Sequence, residues 1–183
     1  IRRFGDGLLG SLVRSSLKRH GAVVAVDTET GTVALLDYRA VHDAGVAVNP
    51  MVVAGQLAGG VAQGVGSALL ERVVYEPGSG QPVAASFADY AMPHAADLPP
   101  FDLALRGVPC ASNLVGAKPA GEAGTVAAPA AIVNAIVDAL ADRGVGHLDL
   151  PATPLAVWRA LADAAARRTS QIGNAAGAEP CRS

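Results

Sequence analysis

Thiols are nearly missing from this chain: its two cysteines, Cys110 and Cys181, stand far apart and form no CxxC-type spacing, so a metal here would have to be held by something other than clustered thiolates. Aromatic residues are also scarce, with one Trp, three Tyr and three Phe in 183 residues, while 51% of the chain is apolar. A core with so few large rings is filled by Ala, Val and Leu between closely spaced backbones, which suits helices packed tightly on a sheet. Charge of either sign is sparse and balanced, with a formal net charge of -2 and a pI near 6.1, and this leaves no basic footprint for nucleic acid or an anionic membrane. No run of eighteen apolar residues and no signal-peptide pattern is present, which predicts no membrane span and, for a complete chain, a cytoplasmic location. Small molecules and protein partners remain.

The length suits one domain or one lobe of a larger one. Residues 1–20 stand apart, because Arg2, Arg3, Arg14, Lys18 and Arg19 concentrate basic charge there and the chain opens on Ile1. Residues 21–168 carry the patterned region, and residues 169–183 form a small, polar tail expected to be disordered. Within the patterned region, Ala22 to Asp27 and Thr32 to Val41 are β-branched runs around Thr28-Glu29-Thr30-Gly31 and predict a hairpin. Asn49-Pro50 supplies a cap and a first helical residue for a long helix ending near Glu71. Val73 to Tyr75 and Pro82 to Phe87, flanking Pro77-Gly78-Ser79-Gly80, and then Phe101 to Val108 predict a second small sheet region. Thr125 is placed to cap a buried helix over Val126 to Asp142, with Pro129 in its tolerant first turn, and Thr153-Pro154 starts a shorter helix to about Ala166. The fold class is α+β: short mixed or antiparallel strands with two to three packed helices.

The long helix has interior glycines at 59, 60, 64 and 66, each costing about 1 kcal/mol relative to Ala. At helical spacing Gln56, Gly59, Gly60, Gln63, Gly64 and Ser67 share one face, opposite Leu57, Val61, Val65 and Leu69. Close packing against another backbone explains glycines without invoking a ligand. Two amides on the same face argue otherwise, since burial without partners would cost each of them about 1–3 kcal/mol, whereas a flat polar ligand would satisfy both.

The stretch Asn113 to Thr125 holds a single carboxylate, Glu122, among Gly116, Gly121 and Gly124 ahead of the Ala-rich helix. Such glycines can turn N–H groups inward as a nest. A lone Glu before a helix is ordinarily a cap or a solvated residue; on a rigid corner beside a cofactor it can instead be a general base. The Gly-Lys-Ser/Thr ending of a phosphate-binding P-loop is missing. A dinucleotide-binding turn is disfavoured too, because no acidic residue is convincingly placed about twenty positions beyond a strand-to-helix glycine turn.

Taken in order, these stretches resemble the large subunits of molybdenum hydroxylases, the xanthine oxidase, aldehyde oxidoreductase and aerobic carbon monoxide dehydrogenase family. The resemblance runs from about Ala22 to Leu161 through His42-Asp43, Asn49-Pro50, Gly55-Gln56, Gln63-Gly64-Val65-Gly66, Ser86-Phe87-Ala88-Asp89-Tyr90, Lys118-Pro119-Ala120-Gly121-Glu122 and Thr153-Pro154. It implies the C-terminal part of such a subunit, with Glu122 as catalytic base in oxidative hydroxylation of an aldehyde, N-heterocycle or similar small substrate, or in CO oxidation, with water as oxygen source. It further implies that Gln56 and Gln63 contact the pterin of a molybdopterin cofactor, in bacteria usually the cytosine dinucleotide form, and that Lys118, Pro119, Ala120 and Gly121 line the same site. The metal would be carried by the pterin rather than by side chains. Iron-sulfur clusters and FAD or another electron carrier would sit on partner subunits or domains, so the isolated chain is expected to be inactive. The family has Gly where this chain has Pro119, and nothing in residues 1–20 matches. These departures motivate an alternative, a truncated non-catalytic binding or assembly module. His42, Asp43, Asp89, Tyr90 and His94 are expected to serve structure through local hydrogen bonds.

Overall fold

In the computed structural model, residues 5–7 and 18–176 are described, with side chains from 19 to 170. Four strands form one sheet in the order β1 (Gly5–Gly7), β2 (Lys18–Val26), β3 (Val33–His42) and β4 (Phe101–Leu105). Strands β1 to β3 are antiparallel neighbours, and β4 lies parallel to β3 with Tyr38 opposite Phe101. Three helices complete the α+β fold: α1 (Pro50–Leu69), α2 (Ala123–Ala139) and α3 (Pro154–Ala176).

The β2–β3 hairpin forms where alternation and the Gly31 turn require it, and β2 begins at Lys18, inside the segment set apart on composition. Asn49 caps α1 as expected: its side-chain oxygen accepts the Val52 N–H at 3.2 Å, and Pro50 fills the first helical position. By length and composition α1 could cross a membrane, but it is a core helix here, with Leu57, Val61, Val65 and Ala68 buried. Helix α2 lies across α1 and on β2, and Ile132, Ile136 and Leu140 join Tyr38, Val24 and Leu35 in the core.

Four expectations need correction. The second sheet does not form: Val73 to Tyr75 and Pro82 to Phe87 meet only at the isolated bridge between Tyr75 and Pro82, and both runs are almost wholly exposed, so no buried face holds them as strands. Phe101 to Val108 is a strand only to Leu105, and it joins the main sheet. Helix α2 starts at Ala123 rather than after Thr125, which puts Pro129 in the helix interior. The early start is held by packing of Gly124 on α1, a tertiary contact that overrides local cap signals. Finally, α3 continues ten residues past Ala166, carried on by Arg167 and Arg168, both good helix formers; residues 169–176 of the expected tail are therefore helical, and 177–183 lie outside the described residues.

Candidate functional site

Glycine in α1 has two separate uses. A methyl on Gly60 would meet the backbone of Gly124 and Thr125 at 3.1 Å, and one on Gly64 would meet the Ala128 methyl at 2.5 Å. The reciprocal contact is tighter still, since a methyl on Gly124 would stand 2.4 Å from the Val61 nitrogen and 2.5 Å from the Leu57 carbonyl oxygen. Gly60 and Gly64 therefore admit α2, and the expectation that they admit a ligand is corrected; close packing is their role. At Gly55 and Gly59, by contrast, a methyl would find no atom within 4 Å. Gln56 and Gln63 are exposed beside them.

The same helix crossing carries the start of α2. Thr125, expected as a cap, sits in the first turn and points its hydroxyl at the Gly60 carbonyl, 3.0 Å away, and at Gln63 Oε1, 3.1 Å away. Glu122 occupies the N-cap position one turn earlier, is exposed, and makes no side-chain capping hydrogen bond. It thus does not do the one structural job its position offers. The structure brings Gln63 to the first turn of α2, while Gln56 lies two turns back along α1 on the open stretch at Gly55 and Gly59.

The loop leading to Glu122 is fastened to the segment after β3. The Val46 and Cys110 N–H groups both donate to the Gly116 carbonyl at 2.9 Å, and the Lys118 N–H donates to the Ala44 carbonyl at 2.9 Å. Gly116 therefore offers its carbonyl inward, and of the three loop glycines it alone has positive φ, at 70°; the expected nest of N–H groups is not formed. Beneath the loop, Asp43 is buried. Its Oδ1 accepts the Gly45 N–H at 2.9 Å and the Val108 N–H at 3.0 Å, and its Oδ2 accepts a charge-assisted hydrogen bond from Lys118 Nζ. Both side chains of the pair keep only 10% of their surface exposed. Burial by itself would raise the Asp43 carboxyl, but the hydrogen bonds from Lys118, Val108 and Gly45 and the Lys118 charge outweigh it and hold the group below its ordinary value.

Of the remaining predicted site residues, Pro119 and Gly121 are exposed and Ala120 is half-buried, its carbonyl accepting the Ala123 N–H at 3.2 Å. Asp89 and His94 make local side-chain bonds, to Ser86 and Asp97, and the Tyr90 hydroxyl donates to Glu71, 19 positions back in sequence. The Asp43–Lys118 pair was not legible in the sequence, although Asp43 and Lys118 were each singled out. A carboxylate just past the end of β3, between His42 and the apolar Ala44, is the signal that would have asked for a cationic partner.

Cavities lie elsewhere among the described residues, one of about 380 Å³ bordered by His147, Asp163 and Arg167, another of about 210 Å³ bordered by Leu35, Val65 and Leu69. Neither includes Gln56, Gln63 or Glu122, which in this chain lie on an open surface. Among the described residues, no three His, Cys, Asp or Glu side chains gather as metal ligands. Exposed amides, open glycine backbone and a carboxylate without a capping hydrogen bond fit a polar, flat group.

Residues 15–99 match the molybdopterin cofactor-binding domain family, a stretch that contains Gln56 and Gln63. The chain is 40% identical over 141 residues, 77% of its length, to the nicotine 6-hydroxylase large subunit of Paenarthrobacter nicotinovorans. It is 32% identical over 139 residues, 76% of its length, to the carbon monoxide dehydrogenase large chain of Hydrogenophaga pseudoflava. In each case it spans 17% of the relative's length. Among solved structures it resembles quinoline 2-oxidoreductase from Pseudomonas putida 86, with a TM-score of 0.76 and 37% identity over 80% of this chain and 18% of that one.

Proposed function

Because the chain belongs to the family of molybdenum hydroxylase large subunits, we propose that it forms the C-terminal portion of such a subunit and supplies Glu122 as general base for oxidative hydroxylation of a small substrate, with water as oxygen source. The range is an aldehyde, an N-heterocycle or carbon monoxide; two relatives are named for nicotine and quinoline, both N-heterocycles, and this favours the second. The observation that carries the reading is the state of Glu122: an exposed carboxylate at the head of α2 that leaves its capping role unused, next to a helix crossing where Gln63 is already fixed by Thr125.

In this reading Gln56 and Gln63 hold the pterin through their side-chain amides, and the backbone from Lys118 to Gly121 borders it. The cofactor is molybdopterin in its cytosine dinucleotide form, and when bound it supplies the redox centre. The chain's own residues bind, orient and move a proton. The open backbone at Gly55 and Gly59 leaves room for a flat ligand beside the Gln56 amide. Glu122 receives a proton on its carboxylate from the oxygen that water supplies. Rigid presentation matters, since a general base must stand within hydrogen-bond reach of its proton. The rest of the large subunit supplies most of the substrate pocket, partner iron-sulfur and flavin subunits carry electrons away, and the isolated chain is inactive.

The test is the full-length gene expressed with its partner subunits under molybdenum-replete conditions. Glu122→Gln should lower turnover by about 10²-fold or more while molybdenum and pterin content stay unchanged. Normal turnover in that variant would overturn the assignment of the base. Gln56→Ala should instead lower pterin retention.

A further inference from the structure

We infer that Asp43 is a positioning residue for Glu122, acting through the Lys118 side chain to fix the near end of the loop that presents the base. The inference rests on the reading of Glu122 given above. Between Lys118 and α2 the chain has little of its own to hold it. Pro119 has no N–H to donate, a methyl on Gly121 would find no atom within 4 Å, and the Ala123 N–H bonds only within the same turn, to Ala120. Glu122 therefore hangs between two fastenings. On the far side Gly124 is wedged against the α1 backbone at Leu57 and Val61. On the near side the Lys118 N–H is bonded to Ala44 and its ammonium to Asp43.

The carboxylate of Asp43 divides its work by oxygen. Oδ1 serves the fold, taking the Gly45 and Val108 N–H groups and closing the corner where β3 and β4 end; Oδ2 serves the loop, taking Lys118. The partners are 75 positions apart in sequence, so the pair links the end of the sheet to the approach to α2 and is not a local turn device. A buried carboxylate is retained only where its charge is met, and here the charge is met by the residue that begins the presenting loop.

This division makes the proposal testable, because Asp43→Asn keeps an oxygen at the Oδ1 position and removes the charge that Lys118 needs. In the full-length enzyme with its partner subunits, amide hydrogen exchange is followed with and without bound molybdenum cofactor. Asp43→Asn should speed exchange at Ala120 to Ala123 about tenfold while the Gly45 and Val108 amides stay protected. It should lower kcat about tenfold with KM within twofold. Unchanged exchange at Ala120 to Ala123 overturns the proposal. So does equal loosening at Gly45 and Val108, which would mean that Asp43 only holds the fold. If the single variant does not fold, Asp43→Asn with Lys118→Met strands no charge and should give the same exchange pattern. Glu122→Gln is run beside them: normal turnover there, with the exchange response present in Asp43→Asn, would sink the base and leave the tether standing, and the reverse pattern would sink the tether alone.

Discussion

Asp43 and Lys118 put opposite charges where little water reaches, and the sign of the resulting pH dependence can be worked out. The folded carboxyl lies below its ordinary value of 3.8, so the pair's contribution is complete above that value and is lost as pH falls through the folded one. The thermal midpoint of the chain should therefore exceed that of Asp43→Asn at pH 7, with the gap closing as the solution is acidified below about pH 4. A gap that persisted unchanged at pH 2 would show that the ionised pair is not its source. Residue identity predicted some local contacts well: Asn49 caps α1 as its side chain allows, and Asp43 accepts backbone N–H groups as expected. It did not predict the Lys118 contact, because the partners are brought together only once β3 and the loop before α2 are both in place.

At the scale of the element, the α1–α2 crossing separates two kinds of glycine that look alike in sequence. Gly124→Ala would drive a methyl into the backbone of α1, and overpacking of about 3 kcal/mol set against a helix gain of about 1 kcal/mol leaves a net loss of roughly 2 kcal/mol. Gly59→Ala meets nothing in this chain and should raise helix stability by about 1 kcal/mol, while lowering pterin retention in the full-length enzyme if the cofactor lies where proposed. Thermal melts and pterin content measured on both variants check the pair of predictions; equal destabilisation by both would contradict the crossing described here. Periodicity located α1 and α2 but could not say which glycines face a helix and which face open space. The early start of α2 was hidden for the same reason, since Gly124 is a poor helix former held in place by a neighbour. The run from Val73 to Phe87 had the turn chemistry of a hairpin, and Glu76 does bond the Gly78 and Ser79 N–H groups, but no face of it is buried.

At the scale of the whole molecule, the exposed apolar residues are concentrated. Val46, Val48, Met51 and Val52 run from the end of β3 into α1, with Val48 and Met51 almost four-fifths exposed. Leu114 and Val115 are exposed in the loop whose Gly116 touches Val46. Patches of this kind on an isolated chain mark surfaces that another part covers. The chain spans 17% of its relatives' length, and the remainder of the subunit proposed above would supply the cover. The chain expressed alone should self-associate and bind an apolar dye, and Val48→Lys with Leu114→Lys should reduce both; a chain that stays monomeric at high concentration without the substitutions would contradict this. Composition foretold the Ala- and Val-rich core and the α+β class. It could not foretell that β4 pairs parallel to β3 across α1, because such a pairing has no local signature.

The hairpin turn also reaches beyond its own strands. A methyl on Gly31 would stand 2.0 Å from the Pro154 carbonyl, so the bare backbone of the turn is the seat on which the first turn of α3 rests. During synthesis that seat leaves the ribosome long before its occupant does, and the nascent domain must wait with the hairpin tip uncovered until α3 emerges. Even a small side chain at Gly31 would therefore act twice in biogenesis: early, by straining a hairpin turn that holds this residue at a φ of 76°, and again when the last helix tried to dock.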